Sequence, residues 1–246
     1  MRNVLTAVAA LAIVGAAGVG YLVMQDRSTG SAPLPATSTS TAMVASSPQT
    51  TAAPQTAQAD QPEIGPDEHV LGKIDAPVTI IEYASMTCPH CAAFHTETMP
   101  RIKSEFIDKG LVRFVFRPFP LDQLAARASL LAQCVPGDGY YSMLDILFRS
   151  QRDWSTAPDP DAALKQIGRT AGLTDADIDR CTADQAQFDR IIAGMQEAQS
   201  KFGIDSTPSF IVNGTKYTNR PFDDYEQDGA TQPGFGKVIR DLLPKT

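Results

Sequence analysis

Val78-Thr79-Ile80-Ile81-Glu82-Tyr83-Ala84-Ser85-Met86-Thr87-Cys88-Pro89-His90-Cys91 is the stretch on which the reading of this chain turns. Its first six residues are β-branched or apolar except for Glu82, the composition of a buried strand. Beyond the cysteines, Phe94, Thr98, Ile102 and Phe106 recur at helical spacing. The order is therefore strand, loop, helix. Thr87 or Cys88 falls at the helix start, and Pro89 takes the first turn, where a missing N–H removes no intrahelical bond. Cys88 then faces unpaired backbone N–H groups at the positive end of a helix dipole, which favours thiolate over thiol. Cys91 sits one turn further in, within disulfide reach and more shielded.

That asymmetry suits thiol exchange, in which an exposed sulfur forms a mixed disulfide and a second sulfur resolves it. The His90 imidazole next to Cys88 adds to the expected stabilisation of the thiolate. Other readings of the pair are a structural disulfide, or zinc held by Cys88, Cys91 and His95, for which no second ligand pair exists. Covalent haem attachment would need histidine at position 92, where the chain has Ala92.

Asp75-Ala-Pro-Val-Thr-Ile-Ile-Glu-Tyr-Ala-Ser-Met-Thr-Cys-Pro-His-Cys-Ala-Ala-Phe-His95 resembles the active-site region of the DsbA family of periplasmic thiol–disulfide oxidoreductases. The resemblance implies an α/β, thioredoxin-like fold interrupted by an all-helical insertion, with Cys88 as nucleophile and Cys91 as resolving thiol. It makes Glu82 the buried acid beneath the disulfide that takes part in proton transfer; the alternative is a strand-end carboxylate in water. Thr207-Pro208, opening the β-rich run Ser209-Phe210-Ile211-Val212, would be the cis-proline packed against the cysteines, with the Thr207 backbone left free to pair with an extended substrate. Threonine before this proline departs from the valine common in DsbA itself and leans towards the isomerase branch.

Leu111 to Phe116 reads as the next strand, and helical patterns follow from Leu121 to Phe202. Leu124, Ala128, Leu131 and Val135 share one face; Met143, Leu144, Leu147 and Phe148 another; Phe188, Ile191, Ile192 and Met195 a third. Gly137, Gly172 and Gly203 supply stops. The helical insertion is placed at about 121–193 of a domain covering 63–246. Cys134 and Cys181 both fall inside it; in an oxidising compartment they are expected to pair, closing a loop of about 48 residues worth about 4 kcal/mol on the chain-entropy model. The alternative is two free, inert thiols. Trp154, Tyr140 and Tyr141 read as helical core, His69 as a surface residue, and Arg113 and Arg117 as facing solvent or pairing with carboxylates.

Residues 1–26 read as a membrane anchor or signal peptide. The uncharged run Val4 to Met24 would extend about 31 Å as a helix, one hydrocarbon core, and no cleavage-like Ala-x-Ala follows it directly. Arg2 on the short side places the remainder outside the cytoplasm. Residues 27–62, rich in Ser, Thr, Ala, Pro and Gln, read as a disordered tether. A net charge of −7 argues against nucleic acid as a partner. The expected activity is an oxidase that donates the Cys88–Cys91 disulfide to reduced exported proteins and is reoxidised by a membrane partner of the DsbB type. It needs no metal or organic cofactor. The rivals are a reductase or isomerase fed by a membrane reductant, a peptide-binding chaperone, and a metal-delivery factor.

Overall fold

The computed structural model describes residues 61–135 and 139–245. The proposed anchor, all but the last two residues of the proposed tether, and the Gly137 stop lie outside them. Among the described residues no helix is long and apolar enough to cross a membrane.

A five-stranded sheet runs in the order β1 (Val70–Leu71), β3 (Val112–Pro118), β2 (Val78–Ala84), β4 (Ser209–Val212), β5 (Thr215–Thr218). β2 pairs parallel with β3 and antiparallel with β4. Every residue of β2 is buried, as a central strand covered on both faces requires. Side chains alternate across it, so Ile80, Glu82 and Ala84 share one face while Ile81 and Tyr83 share the other. Glu82 therefore lies on the side covered by Phe94, Ile102, Phe114, Leu147 and Phe148. The opposite face packs Ile81, Tyr83, Val115 and Ile211 against Ala198 and Ile204.

The helical run after the cysteines begins as α1 (Pro89–Ala93) and continues through a π-type turn (Phe94–Thr98), α2 (Met99–Ile102) and a second π-type turn (Lys103–Ile107). Pro100 explains the first widening: it has no N–H to give and its ring crowds the preceding turn. Phe94, Thr98, Ile102 and Phe106 are all buried, so the expected face holds despite the altered pitch.

Six helices, α3 (Gln123–Gln133), α4 (Gly139–Arg149), α5 (Gln151–Ser155), α6 (Pro160–Thr170), α7 (Asp175–Thr182) and α8 (Gln185–Phe202), separate β3 from β4. Asp122, Asp159, Thr174 and Asp184 cap α3, α6, α7 and α8 with side-chain oxygens. α8 runs nine residues beyond the expected end of the insertion, to Gly203, whose φ of 60° closes it. A β6–β7 hairpin (Tyr225–Gln227, Ala230–Gln232) and α9 (Phe235–Leu242) complete the chain.

Trp154 and Tyr140 are core residues, and the Tyr141 hydroxyl donates to the His69 and Phe114 carbonyls. His69 is not the surface residue expected: its ring is half-buried, stacked 4.0 Å from Tyr140, with Nε2 3.2 Å from Gln133 Oε1. Arg117 pairs with Glu68 at 2.7 Å and donates to the Tyr83 hydroxyl, fastening the segment before β1 to the sheet. Arg113 donates to Thr79 Oγ1 and the Ile74 carbonyl, and pairs with no carboxylate among the described residues.

Candidate active site

Cys88 is the N-cap residue of α1, with extended backbone angles, and Pro89 follows in the first turn. The Cys88 carbonyl accepts from the Cys91 and Ala92 amides, closing the turn that brings the two sulfurs together. Both are thiols in the structure. Cys88 keeps 6% of its surface accessible and Cys91 none, so the expected exposed sulfur is a narrow opening rather than an open one.

The pair is electrostatically split. The Cys88 thiol is lowered to about 5, first by a hydrogen bond from Cys91 and further by the Thr207 side chain and the backbone amides of Cys91 and His90, against burial, which raises it. Burial drives the Cys91 thiol far up, reinforced by the Cys88 contact and the negative charge of Glu82. One sulfur is thus a thiolate at neutral pH while its partner holds a proton. His90 differs from expectation: it acts on Cys88 through its amide, and its exposed ring makes no hydrogen bond among the described residues.

The Thr207–Pro208 peptide is cis and sits against Cys88, whose Sγ donates to the Thr207 carbonyl at 3.4 Å. Thr207 Oγ1 is buried beside the thiol and has no hydrogen-bond partner among the described residues. Once Cys88 ionises, that hydroxyl is a donor for the sulfur, which is how it lowers the thiol.

Glu82 is fully buried, its Oε2 2.7 Å from His95 Nε2. Burial raises its carboxyl above the ordinary range, while the charge of His95 and its hydrogen bond pull it back. The water-facing alternative for Glu82 is therefore overturned by its burial. His95 packs its ring 4.1 Å from Phe148 and meets Phe94, Phe114 and Phe116 edge-on.

Two further residues hold the loop. Gln151, reaching in from α5, donates from Nε2 to the carbonyls of Met86 (2.8 Å) and Cys88 (2.9 Å). Asp122 caps α3 with Oδ1 and accepts from Thr87 Oγ1 with Oδ2 at 2.6 Å, so one carboxylate ties the helical insertion to the cysteine loop. Asp122 was legible as a cap three residues before a buried alanine. Gln151 carried no sequence signal, because its partners are main-chain carbonyls 63 and 65 positions away.

Cys134 ends α3 and Cys181 lies in the last turn of α7, with their side chains in hydrogen-bonding contact. The structure holds them as thiols, Cys134 Sγ donating to the Leu130 carbonyl at 3.3 Å. A cavity of about 1480 Å³ is lined by Tyr83, Arg117, Gln133, Glu197 and Phe202, among others, and touches neither Cys88 nor Cys91.

A family model described as thioredoxin matches residues 65–227. A putative protein-disulfide oxidoreductase of Rickettsia bellii is 33% identical over 159 residues, covering 64% of this chain and 61% of that protein. Disulfide bond formation protein D of Bacillus subtilis is 29% identical over 162 residues, covering 64% of this chain and 72% of that one. The chain spans about three fifths of the length of the rickettsial relatives it matches. Among solved structures, Wolbachia pipientis alpha-DsbA1 is 30% identical with a TM-score of 0.62, covering 73% of this chain and 92% of that one. A strand–Cys-Pro-His-Cys–helix site, a helical insertion between β3 and β4, and these matches together place the chain in the thioredoxin-like family, within its DsbA-type branch.

Proposed function

We propose that the chain is a thiol–disulfide oxidoreductase that donates the Cys88–Cys91 disulfide to reduced exported proteins. The observation that carries this is the split between the two thiols, one lowered to about 5 and the other raised by burial. In the oxidised chain a substrate thiolate attacks Cys88 Sγ, the Cys88–Cys91 bond breaks, and Cys91 leaves with the electron pair. Its raised thiol demands a proton, for which Glu82 is the buried source. A second substrate thiolate then attacks the substrate sulfur of the mixed disulfide, and Cys88 departs as a stabilised thiolate. The substrate ends oxidised by two electrons and the cysteine pair reduced.

Stabilising the thiolate stabilises the reduced form, so the disulfide is a strong oxidant. The main chain of Thr207, beside Cys88, suits an extended peptide passing the sulfur. Such work belongs outside the cytoplasm, consistent with an anchor or signal in residues 1–26 and a tether in 27–62. Reoxidation falls to a membrane partner of the DsbB type. In the same compartment Cys134 and Cys181 pair to join α3 to α7. Threonine at 207 is the one feature favouring the reverse direction, a reductase or isomerase fed by a membrane reductant.

Trapping tests the activity. A Cys91→Ser chain should accumulate mixed disulfides through Cys88 with exported proteins, and Cys88→Ser should abolish them. Activity persisting in Cys88→Ser would leave the chain a peptide-binding chaperone, and stoichiometric copper or zinc on the purified chain a metal-delivery factor. A reduction potential near that of thioredoxin, rather than well above it, would reverse the direction.

A further inference from the structure

Glu82 alone makes a poor proton carrier. A carboxylate with no solvent contact is driven towards its neutral form by desolvation, and a carboxyl that already holds its proton cannot take one from Cys91. Three observations change that. His95 Nε2 lies 2.7 Å from Oε2, so the imidazole is bonded directly to the carboxyl and is placed to exchange a proton with it. Oε1, the other oxygen, is buried with no partner among the described residues, leaving a free lone pair in the site. The His95 side chain retains 7% of its surface while that of Glu82 retains none, so the route from the acid to solvent runs through the imidazole.

We propose that His95 is the positioning residue of the redox site's proton path, holding Glu82 by Oε2 and passing protons between solvent and the carboxyl that serves Cys91. The inference rests on the exchange reading above. When a mixed disulfide on Cys88 is resolved from within, Cys91 Sγ–H gives its proton to Glu82 and its sulfur attacks Cys88 Sγ. The Cys88–Cys91 bond forms, the bond to the departing sulfur breaks, and that sulfur leaves with the electron pair as a thiolate. The departing thiolate or solvent takes up the proton released by way of His95. In the opposite direction the same path delivers the proton that the leaving Cys91 needs.

The cage around His95 fits a ring held in one orientation. Phe148 of α4 stacks on it at 4.1 Å, and Phe94, Phe114 and Phe116 stand edge-on. The ionisable groups around the pair are Cys88 and Cys91 at the start of the redox helix, with Tyr140 and Tyr141 of α4. β3 contributes only Phe114 and Phe116 to the imidazole. Burial holds both tyrosines protonated through the working range, so neither competes for the proton.

The test is to load Cys88 of the full chain with a small chromogenic thiol as a mixed disulfide and follow its release across pH. His95→Gln keeps an N–H donor to Glu82 but cannot carry a proton. It should slow release by about 10²-fold, at the lower end of general acid–base effects, and replace the plateau of the unsubstituted chain with a rate that climbs with hydroxide. Glu82→Gln should give the same profile, and the double variant should be no slower than Glu82→Gln alone, because the two groups act in series. Release at the unsubstituted rate and profile in His95→Gln would overturn the proposal, as would a double variant slowed by the product of the two effects. Loading of Cys88 is read separately: a Cys88 that never loads defeats the exchange reading itself, whereas normal loading with unaltered release defeats only the role of His95. Should His95→Gln not fold, nitrogen NMR of the unsubstituted chain decides. The His95 ring-nitrogen resonances should differ between oxidised and reduced forms through the bond to Glu82, and identical resonances in both would end the idea.

Discussion

The hydrogen bond from Cys91 is the largest influence lowering the Cys88 thiol, so removing that donor should move Cys88 more than any change at the exposed His90 ring. Hydrogen bonds to charged groups are worth about 1.5 to 3 kcal/mol, which is about one to two pH units at 1.36 kcal/mol each. Cys91→Ser keeps an O–H donor and should leave the Cys88 midpoint near 5, whereas Cys91→Ala should carry it to about 6 or 7. The assay is the rate at which Cys88 in each variant opens a small reporter disulfide, measured across pH. The midpoint is the diagnostic, because the rate at neutrality is deceptive. At pH 7 a thiol titrating near 5 is ionised about 10²-fold more than one titrating near 9. A Brønsted slope of about 0.4 to 0.5 over four units removes most of that advantage. At pH 5 the ionised fractions differ by about 5,000-fold, leaving a net advantage of roughly 50- to 120-fold for Cys88 over a free cysteine. Rates in Cys91→Ser that climb tenfold per pH unit through neutrality towards 9 would refute the reasoning, as would Cys91→Ala and Cys91→Ser with the same midpoint.

The lowered Cys88 thiol stabilises the reduced fold: because its folded value lies below its unfolded one, the gain is complete above the ordinary thiol range and is lost as pH falls through about 5. The urea midpoint of the reduced protein should therefore fall relative to that of the oxidised protein on acidification to about 5, closing the lead that the thiolate gives the reduced form, because the oxidised form has no Cys88 thiol and escapes this loss. Gln151→Ala removes both donors to the Met86 and Cys88 carbonyls and should cost about 1 to 3 kcal/mol in chemical denaturation, with α5 loosened from the cysteine loop; an unchanged midpoint would mean the carbonyls find other donors. A non-reduced digest of chain taken from an oxidising compartment should yield a Cys134–Cys181 peptide, and reducing it should lower stability by up to about 4 kcal/mol; both thiols found alkylated would exclude the bridge. Gly168→Ala sets a methyl 2.7 Å from Ile178 Cδ1 between α6 and α7, so the crowding, about 1 to 3 kcal/mol, should outweigh the helix-propensity gain of about 1 kcal/mol and lower the melting temperature.

The fold was legible where local chemistry repeats: the apolar run that became β2, the cysteine pair at a helix start with proline behind it, and the helical spacing of Phe94, Thr98, Ile102 and Phe106, which stayed buried through two π-type turns. What escaped the sequence were contacts between residues far apart whose side chains have several ordinary uses. Glutamine 151 could have faced water anywhere on a helix; only the folded chain shows it beneath two carbonyls of the cysteine loop. His90 was assigned an effect through its ring because it neighbours Cys88 in sequence, yet the ring points outward and the amide does the work, as the geometry of a helix N-terminus dictates. The burial of Glu82, by contrast, was implicit in its alternation with Ile80 and Ala84 on a strand covered on both faces.

The same alternation explains why the site needs a histidine in its interior. A central strand with one carboxylate on its covered face must bury a carboxyl group, and burial alone pushes that group towards its neutral form. Four residues along the redox helix from Cys91, the chain places His95 on the same inward face, where its ring reaches Oε2 while Oε1 remains free. The helix thus presents two groups to the sheet, a thiol that must lose its proton and an imidazole that lets the acid between them receive it. If His95 were only a packing residue, Phe at that position would fill the cage against Phe148 equally well and leave the release of a Cys88-bound thiol unchanged. If it carries protons, His95→Phe should fold and load at Cys88 yet release slowly, with Glu82 cut off from its route to solvent.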